Sequence, residues 1–444
     1  MDGRERNMDG WKERIERGLT LHRFMITIVF LAVFLVHFFS PVDTPFDSRW
    51  SVHTALSLVR NGDIALDEYE EIIANNEYYA ITRVNGHLYT VYPLGTYVLA
   101  APVVWLVDQT LSRLLHIDLK IFIAKVLPSG VEVLAASVFT ALCAVFIYLI
   151  GLRLLGSIPK ALLLVFVFAF CTPAWSTASR GLWQHGPTML LLAMSLYFAL
   201  RSEEQPAFII WMALPLALSF TVRPSNVAAI LPFSFFVLAR HRSNFPFFCG
   251  LGLAVGAAYF ALNHHFYGEF MPPLYHIRAE LFSNRLWLKT AATHLLSPSR
   301  GLFVYCPVFF FSLIGLYLKA RHSRLTLLDW AVISAVFLHF VIVLLLPFWN
   351  SGHSYGPRFF TDMVPYYLYF LVFFLQRVEL SLSKPLVLAF ALSIALSFAI
   401  HFRGAFHWGV YRWNHRPINV DEAPDRVWDF SDIQFLRGED PSDP

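Results

Sequence analysis

Apolar stretches recur along the chain from residue 24 to residue 402, and short polar segments separate them. Most are close to the roughly 20 residues that a helix needs to cross a bilayer. The stretches lie at 24–40, 91–107, 121–151, 161–177, 182–200, 206–222, 225–239, 245–262, 300–318, 328–348, 363–376 and 383–402. This pattern predicts an all-α integral membrane protein.

One stretch departs from the pattern when it is followed to residue 111. Segment 91–111 contains two prolines and a glycine, and it ends at polar Asp108 and Gln109. The positive-inside rule places loops rich in Lys and Arg on the cytoplasmic side. Five compact basic loops share a side with the basic N-terminus only if 91–111 does not cross: "GLRLLGSIPK", "LRSEEQ", "ARHRSN", "LKARHSRL" and "LQRVELSLSK". We therefore predict about 11 transmembrane helices, with 91–111 interfacial or re-entrant.

This topology divides the chain into three parts. Residues 1–23 form a cytoplasmic segment, residues 24–402 a multi-span membrane domain, and residues 403–444 an extracytoplasmic tail. Within the membrane domain, residues 41–120 form a long first extracytoplasmic loop with interfacial helices. Residues 24–40 are expected to remain as the first helix, because no small-residue cleavage site follows them. The expected location is the cell (inner or plasma) membrane.

Composition agrees with this class and excludes others. Hydrophobic residues make up 57% of the chain and charged residues 15%, whereas soluble domains carry about 45–50% apolar and about 25% charged residues. A net charge of only +3 gives no case for nucleic-acid binding. The cysteines lack metal-type spacing and are expected to pack as small hydrophobes: Cys143, Cys171, Cys249 and Cys306.

The first extracytoplasmic loop opens with two carboxylates and a cation. Asp43, Asp47 and Arg49 follow the first apolar stretch in "SPVDTPFDSRW". Residues 50–60 have a mostly helical apolar pattern, which predicts an amphipathic helix at the interface with Asp47 at or just before its start. A helix N-terminus stabilises an ionised carboxylate. Asp47 is therefore a candidate catalytic carboxylate or a plain N-cap, and Asp43 fits a turn.

Two further extracytoplasmic segments carry cations and hydrogen-bonding side chains. "SRGLWQHGPT" (179–188) and "WNSGHSYGPRFF" (349–360) both lie at the start of a predicted span. Arginine suits a phosphate because its planar fork can bind two oxygens, although Arg, His and Trp also serve as interface anchors. "VRPSN" offers Arg223 in the same way, and "NGHLYTVYPLG" offers the aromatic face of Tyr92 to a sugar ring.

Together these residue types match a polyprenyl-phosphate sugar as substrate. Its lipid would lie among the helices, its phosphate needs cations, and its sugar would face outward. A carboxylate can take the proton from an acceptor hydroxyl, and arginine can stabilise the charge on the departing phosphate. The sequence therefore predicts a glycosyltransferase whose partners are the lipid-linked donor, membrane lipids and an acceptor glycan, lipid or protein.

Five sequence blocks carry a resemblance to a known family: "DSRWSVHTALSLVRNGDIALDEY", "NGHLYTVYPLGTYVLAAP", "SRGLWQHGP", "PSRGLFVYCPV" and "SYGPRFFTDMVPY". They resemble, in the same order, blocks of membrane glycosyltransferases with the C-type (GT-C) fold. That superfamily includes the protein O-mannosyltransferases and the lipid A aminoarabinose transferase. The resemblance covers residues 24 to about 400. It implies that Asp47 is the catalytic base and that transfer inverts the anomeric carbon by direct displacement.

The remaining site residues are assigned by residue type. Donor-phosphate binding is assigned to Arg358, Tyr355, Arg49 and Arg180, and substrate binding to His353, His185, Gln184, Trp183, Tyr92 and Asp43. The chain departs from the family where some members hold a metal with an Asp, because Gln184 and His185 stand there. No certain cofactor is assigned, and a divalent metal stays an open alternative that these two residues make less favourable.

Two other classes stay open. A transporter or lipid flippase is expected to carry buried charges within its spans. Few charged residues lie in the middle of a predicted span here, and Lys125 and Glu132 are the exceptions. A polymerase or ligase of surface polysaccharide shares the lipid donor but not the fold. Convergence of Asp47, Arg180 and Arg358 in one cleft favours the transferase. The aromatic stretch 428–436 of the tail is either a cover over that cleft or a loose end.

Overall fold

The computed structural model describes residues 22–44, 47–74, 79–125, 128–277, 283–377 and 383–438. Within these ranges the chain is mostly helical, which confirms the predicted class. The predicted segment 1–23 lies almost wholly outside the described residues. The elements are α1 (His22–Phe38), α2 (Ser51–Asn61), α3 (Glu70–Ala74), β1 (Ile81–Val84), β2 (His87–Thr90), α4 (Gly95–Leu114), α5 (Leu119–Lys125), α6 (Pro128–Leu155), α7 (Ile158–Phe170), α8 (His185–Ser202), α9 (Phe208–Val222), α10 (Val227–Arg240), α11 (Phe245–Tyr267), α12 (Leu274–Ile277), α13 (Trp287–Leu296), α14 (Leu302–Tyr305), α15 (Phe310–His322), α16 (Leu327–Leu345), α17 (Val364–Leu375), α18 (Lys384–Phe406) and α19 (Trp408–Arg412).

Four helices of the described part are long and apolar enough to cross a membrane: Gly130–Leu155, Arg242–Tyr267, Leu327–Leu345 and Lys384–Phe406. Four shorter apolar helices accompany them: His22–Phe38, Ile158–Phe170, Phe208–Val222 and Pro224–Arg240. Only 11% of the most apolar window of α11 is buried, so most of its apolar side chains face outward, as lipid contact requires. These features fit membrane association. Each predicted span contains a helix, and segment 91–111 lies largely within α4.

A two-stranded hairpin interrupts the helices in the first loop. Strands β1 and β2 pair antiparallel, with Val84 opposite His87. Asn85 and Gly86 form the turn, with φ values of 51° and 91°. Two residues at positive φ make the hairpin turn that Asn-Gly favours. The sequence predicts a loop over residues 85–95, and the structure shows that β2 lies within it.

One end of the helical bundle, which we term the cavity end, brings the first loop against the start of α8. Arg180 is fully buried there. Its guanidinium donates to the backbone carbonyls of His37, Ser40 and Val42. The last carbonyls of a helix have no partner within the helix, and Arg180 satisfies this need at the end of α1.

A second tie at the cavity end is made by a buried carboxylate. Glu132, near the start of α6, accepts a hydrogen bond from Ser48 Oγ at 2.8 Å and from the backbone N–H of Leu182 at 3.3 Å. Glu132 thus fixes the chain next to Asp47 and the chain next to Trp183 against the same helix.

The segment after α18 folds back onto the cavity end instead of hanging loose. Gln434 is buried and donates through Nε2 to the carbonyl of Ser354 at 2.9 Å. Its Oε1 accepts from Arg300 Nη1 at 2.6 Å and from Tyr305 Oη at 3.2 Å. Residues 350–356 are thereby held between the bundle and this segment. The four cysteines are free, as the sequence predicts.

Candidate functional site

A cavity of about 1160 Å³ opens at the cavity end. Its wall comes from the start of the first loop, the hairpin region, the start of α8, the end of α9 and the loop before α17. The wall carries apolar residues as well as charged and aromatic groups. The apolar residues include Phe220, Met271, Leu274, Ile342 and Leu346.

Asp47 is held in the polar wall by three side chains. Its Oδ2 accepts a hydrogen bond from Arg358 Nη1 at 3.0 Å, and its Oδ1 accepts one from the Tyr79 hydroxyl. The Tyr92 hydroxyl lies within hydrogen-bonding reach of the same carboxylate. An ionised carboxylate has about four acceptor positions, so three donors leave about one for a substrate.

The two tyrosines act as donors to Asp47. Burial, together with the charge of Asp47, raises the pKa of both Tyr79 and Tyr92 above the ordinary tyrosine value. Both hydroxyls therefore keep their protons and orient the carboxylate. Trp50, and not Asp47, is the N-cap of α2, so the plain N-cap interpretation of Asp47 is wrong.

Arg358 lies between two aromatic rings of the wall. Its guanidinium carbon is 5.0 Å from the Trp183 ring centroid and 5.1 Å from that of Phe359, a geometry that favours a cation. Apart from the bond to Asp47, its Nε and Nη2 donate to nothing within the described residues. These N–H groups are the kind of donors that a phosphate accepts.

The position of Arg358 follows from the loop that precedes it. Gly356 has a φ of 61°, in the left-handed region that glycine tolerates. A Cβ at this position would come within 2.5 Å of the Tyr305 ring. Pro357 then fixes the backbone, and a helical turn begins at Arg358. The sequence "SYGPR" thus brings the arginine to the cavity wall.

A second polar cluster lies farther along the wall. Asp362 is fully buried, and its Oδ1 lies 2.6 Å from Nδ1 of His185. Its Oδ2 accepts a hydrogen bond from Arg223 Nη1. Burial alone raises the pKa of Asp362, but the Arg223 guanidinium and His185 hold it well below its usual range. Arg223 ends α9 because the residue before a proline, here Pro224, disfavours the helical conformation.

The rim of the cavity is completed by the segment after α19. His353 Nε2 lies 2.8 Å from Asn419 Oδ1 and 3.4 Å from Asp421 Oδ2. The His415 ring packs edge-on against His353, with the centroids 4.5 Å apart. The tail thus reaches the cavity through residues 415–424. The sequence-based hypothesis of a cover assigns that role to the aromatic stretch 428–436.

Most predicted site residues meet in this cavity. The seven that line it are Asp47, Tyr92, Trp183, Gln184, His185, His353 and Arg358. The four others, Asp43, Arg49, Arg180 and Tyr355, are not part of its wall.

Arg180 and Tyr355 use their hydrogen-bond donors on backbone carbonyls, which corrects their assignment to the donor phosphate. The guanidinium of Arg180 is used by backbone carbonyls next to α1. The Tyr355 hydroxyl is buried and donates to the carbonyl of Ile400 at 2.6 Å. Neither group has a donor directed to the cavity. Of the three residues whose convergence favours a transferase, Asp47 and Arg358 meet and Arg180 does not.

Asp43 and Arg49 do not line the cavity. Asp43 is half-buried, and its charge acts on Arg180 and Glu132. Arg49 is exposed and lies near His53 and Glu132. Because neither residue is part of the wall, their assignment to substrate contacts is corrected.

Several residues of the site are not among the predicted ones. Tyr79 carries no signal in the sequence, because a single tyrosine in a loop has many ordinary roles. Arg223 is recognisable as a cation in "VRPSN", and Asp362 follows the "GPRFF" block. A carboxylate four residues after Arg358, at the start of the next helix, was a usable signal.

Among the described residues, no group of three or more His, Cys, Asp or Glu side chains is arranged to hold a metal ion. We therefore derive no step through a metal. Comparison with protein-family models and with curated proteins finds no match.

Proposed function

We propose that this protein is a membrane glycosyltransferase, which moves a sugar from a polyprenyl phosphate to an acceptor hydroxyl with inversion. One observation carries the proposal. Asp47 and Arg358 are 311 residues apart in the sequence, yet they meet at 3.0 Å in the wall of a large cavity that is also lined by apolar residues. A base, a phosphate-binding cation and room for a lipid thus occur together.

The donor fits the mixed lining of the cavity. The lipid would lie along the apolar residues, next to Phe220 on α9 and Leu346 at the end of α16. The phosphate would accept hydrogen bonds from Nε and Nη2 of Arg358. Trp183 keeps the guanidinium in place by stacking and offers its face to the sugar.

The ion pair between Asp47 and Arg358 gives donor binding a second effect. A phosphate bound at Nε and Nη2 shares the positive charge of Arg358 with Asp47, which weakens the hold of the guanidinium on the carboxylate. Tyr79 and Tyr92 continue to hold the carboxylate. Binding of the donor therefore prepares the base.

The reaction then proceeds in one displacement. Asp47 takes the proton of the acceptor hydroxyl while the oxygen of that hydroxyl attacks the anomeric carbon. The bond from that carbon to the phosphate oxygen breaks, and the phosphate leaves with the electron pair. Arg358 stabilises the charge that develops on it.

The proposed topology has about 11 spans, a cytoplasmic N-terminus and an extracytoplasmic cavity in the cell membrane. Helix α4 begins against the end of α9, since a Cβ on Gly95 would lie 2.5 Å from the backbone of Thr221. Helix α6 also begins at the cavity end, where Glu132 binds Ser48. The chain therefore leaves this end and returns to it between residues 95 and 132. Because α4 is also not among the candidate spans, these observations support a helix that does not cross.

The test is Asp47→Asn, which keeps the shape of the side chain and loses its proton affinity. Loss of a general base lowers the rate by roughly 10²–10⁴-fold, while donor binding persists because Arg358 loses a competitor. Turnover is measured with purified protein, host membranes and a panel of radiolabelled polyprenyl-phosphate sugars. Asp63→Asn, in the same loop but outside the cavity wall, is the matched control. An Asp47→Asn variant with full activity would reject Asp47 as the base.

A further inference from the structure

The cluster around Arg223 has hydrogen-bonding capacity that the proposed reaction does not use. One Nη1 group of Arg223 lies against Asp362 and His185. Its Nε and Nη2 groups donate to nothing within the described ranges. Arg223 lines the cavity with 14% of its side chain exposed. Arg223 is therefore a fixed cation whose Nε and Nη2 groups are available to a ligand.

The surroundings of Arg223 add further donors. Ser225 Oγ and Gln184 Nε2 are buried in the same wall and have no partner among the described residues. The Tyr275 hydroxyl lies near the Arg223 charge, and burial raises its pKa, so it keeps its proton. Buried donors without partners are rare in folded proteins. A ligand group that only accepts hydrogen bonds would satisfy them.

Asp362 is placed to support such a ligand without competing for its position. Both of its oxygens are engaged, one by His185 and one by Arg223. It therefore fixes the guanidinium from behind and leaves the other edge to the cavity. This is the arrangement by which an outer carboxylate orients a binding group.

The position differs from that of Arg358. The guanidinium carbons of Arg223 and Arg358 lie 5.9 Å and 5.1 Å from the Phe359 ring centroid, so they are at most about 11 Å apart. Each is paired with its own carboxylate, Asp362 or Asp47. The cavity therefore offers two separate cations.

We propose that Arg223, fixed by Asp362, is the cation of a second subsite, which binds an oxyanion carried by the transferred sugar or by the acceptor. The oxyanion is a carboxylate, as in an acidic sugar, or a phosphate on the acceptor. The inference rests on the proposed function, in which Arg358 takes the phosphate of the donor. It narrows the substrates to a pair in which one member bears a negative charge besides the donor phosphate.

Calorimetric titration of the purified full-length protein tests the subsite. Three probes are compared in the presence and absence of saturating farnesyl phosphate: methyl glucuronoside, methyl phosphate and the neutral methyl glucoside. We expect at least one oxyanion probe to bind about tenfold more tightly than methyl glucoside, because a charge-assisted hydrogen bond is gained. The tighter of the two identifies the source of the oxyanion.

Variants separate a binding role from a structural one. Arg223→Gln combined with Asp362→Asn removes the cation and its buried partner together, so that no lone buried charge remains. In it, all three probes should bind within about threefold of one another. Arg223→Lys keeps the charge without the fork and should retain part of the preference. Arg242→Gln, at the opposite end of α10, is the control.

Two results would overturn the subsite: equal binding of the three probes to the wild type, or a preference that survives in the double variant while farnesyl phosphate occupies Arg358. If the double variant fails to fold, two measurements remain. A full preference of Arg223→Lys for an oxyanion probe over methyl glucoside would count against the forked contact. Equal binding of the three probes to the wild type would still reject the subsite. Failure of farnesyl phosphate to bind would count against the proposed function alone, since the titrations without it still test Arg223.

Discussion

Replacing Arg358 separates a phosphate-binding cation from an interface anchor. The side chain donates from Nη1 to Asp47, and its Nε and Nη2 groups have no acceptor within the described residues. Arg358→Ala removes the charge and both prongs. Arg358→Lys keeps a charge that can still reach Asp47, but it loses the planar fork and the stacking on Trp183.

The expected magnitude follows from the contacts. A hydrogen bond to a charged group contributes about 1.5–3 kcal/mol, and screening is weak because only 13% of the Arg358 side chain is exposed. Each 1.4 kcal/mol is about a factor of ten in affinity. Arg358→Ala should therefore weaken donor binding by about a hundredfold, and Arg358→Lys by about tenfold. Turnover should fall further than binding, because the contact strengthens as the phosphate gains charge.

The assay measures donor affinity and turnover for the wild type and both variants. Arg83→Gln serves as the control, since Arg83 is exposed on β1 and pairs with Glu70. A lysine variant equal to the wild type in both quantities would refute the reasoning. Lysine and arginine anchor equally well at an interface, so that result would mean that Arg358 only anchors the loop.

Three further predictions address topology, stability and pH. Cysteines introduced at Leu115 and Ser431 should both react with an impermeant thiol reagent from outside the cell, and labelling of Ser431→Cys only after permeabilisation would contradict the 11-span topology. Arg300→Met should lower the free energy of unfolding by about 1–3 kcal/mol, because the buried oxygen of Gln434 and the other neutral acceptors lose their donor; an unchanged melting temperature in detergent would argue against this anchor. The depressed pKa of Asp362 should contribute stability at and above pH about 4, its unfolded value, and this contribution should be lost as pH falls toward the folded pKa. Asp362→Asn should therefore flatten that acid limb in thermal unfolding, and an identical pH profile would count against it.

The sequence predicted the helical class and most of the wall of the cavity for a simple reason. Polar groups next to long apolar stretches must lie at helix ends, and helix ends on one side of a bundle come together. Trp183, His185 and Arg358 were found by this argument alone. The position of a polar residue next to an apolar stretch predicts the end of the bundle at which it lies. It does not predict the direction in which its side chain points.

Arg180 and Arg358 show this limit. Both follow a small or turn-forming residue at the edge of an apolar stretch, yet one binds backbone carbonyls and the other lines the cavity. The difference depends on which carbonyls the end of α1 leaves without partners, and that depends on packing. Tyr79 is a similar case, because its contact with Asp47 needs the hairpin that follows it.

The contact between Gln434 and the loop before Arg358 determines when the site can form during synthesis. A chain emerges and folds from its N-terminus, so residues 350–358 leave the ribosome well before Gln434. Until Gln434 arrives, the carbonyl of Ser354 and the side chain of Arg300 lack this partner. The helices can form one after another, but the loop before Arg358 gains its final support only after the last of them. The wall of the cavity is therefore completed late, and a chain that ends before Gln434 lacks the final form of the site.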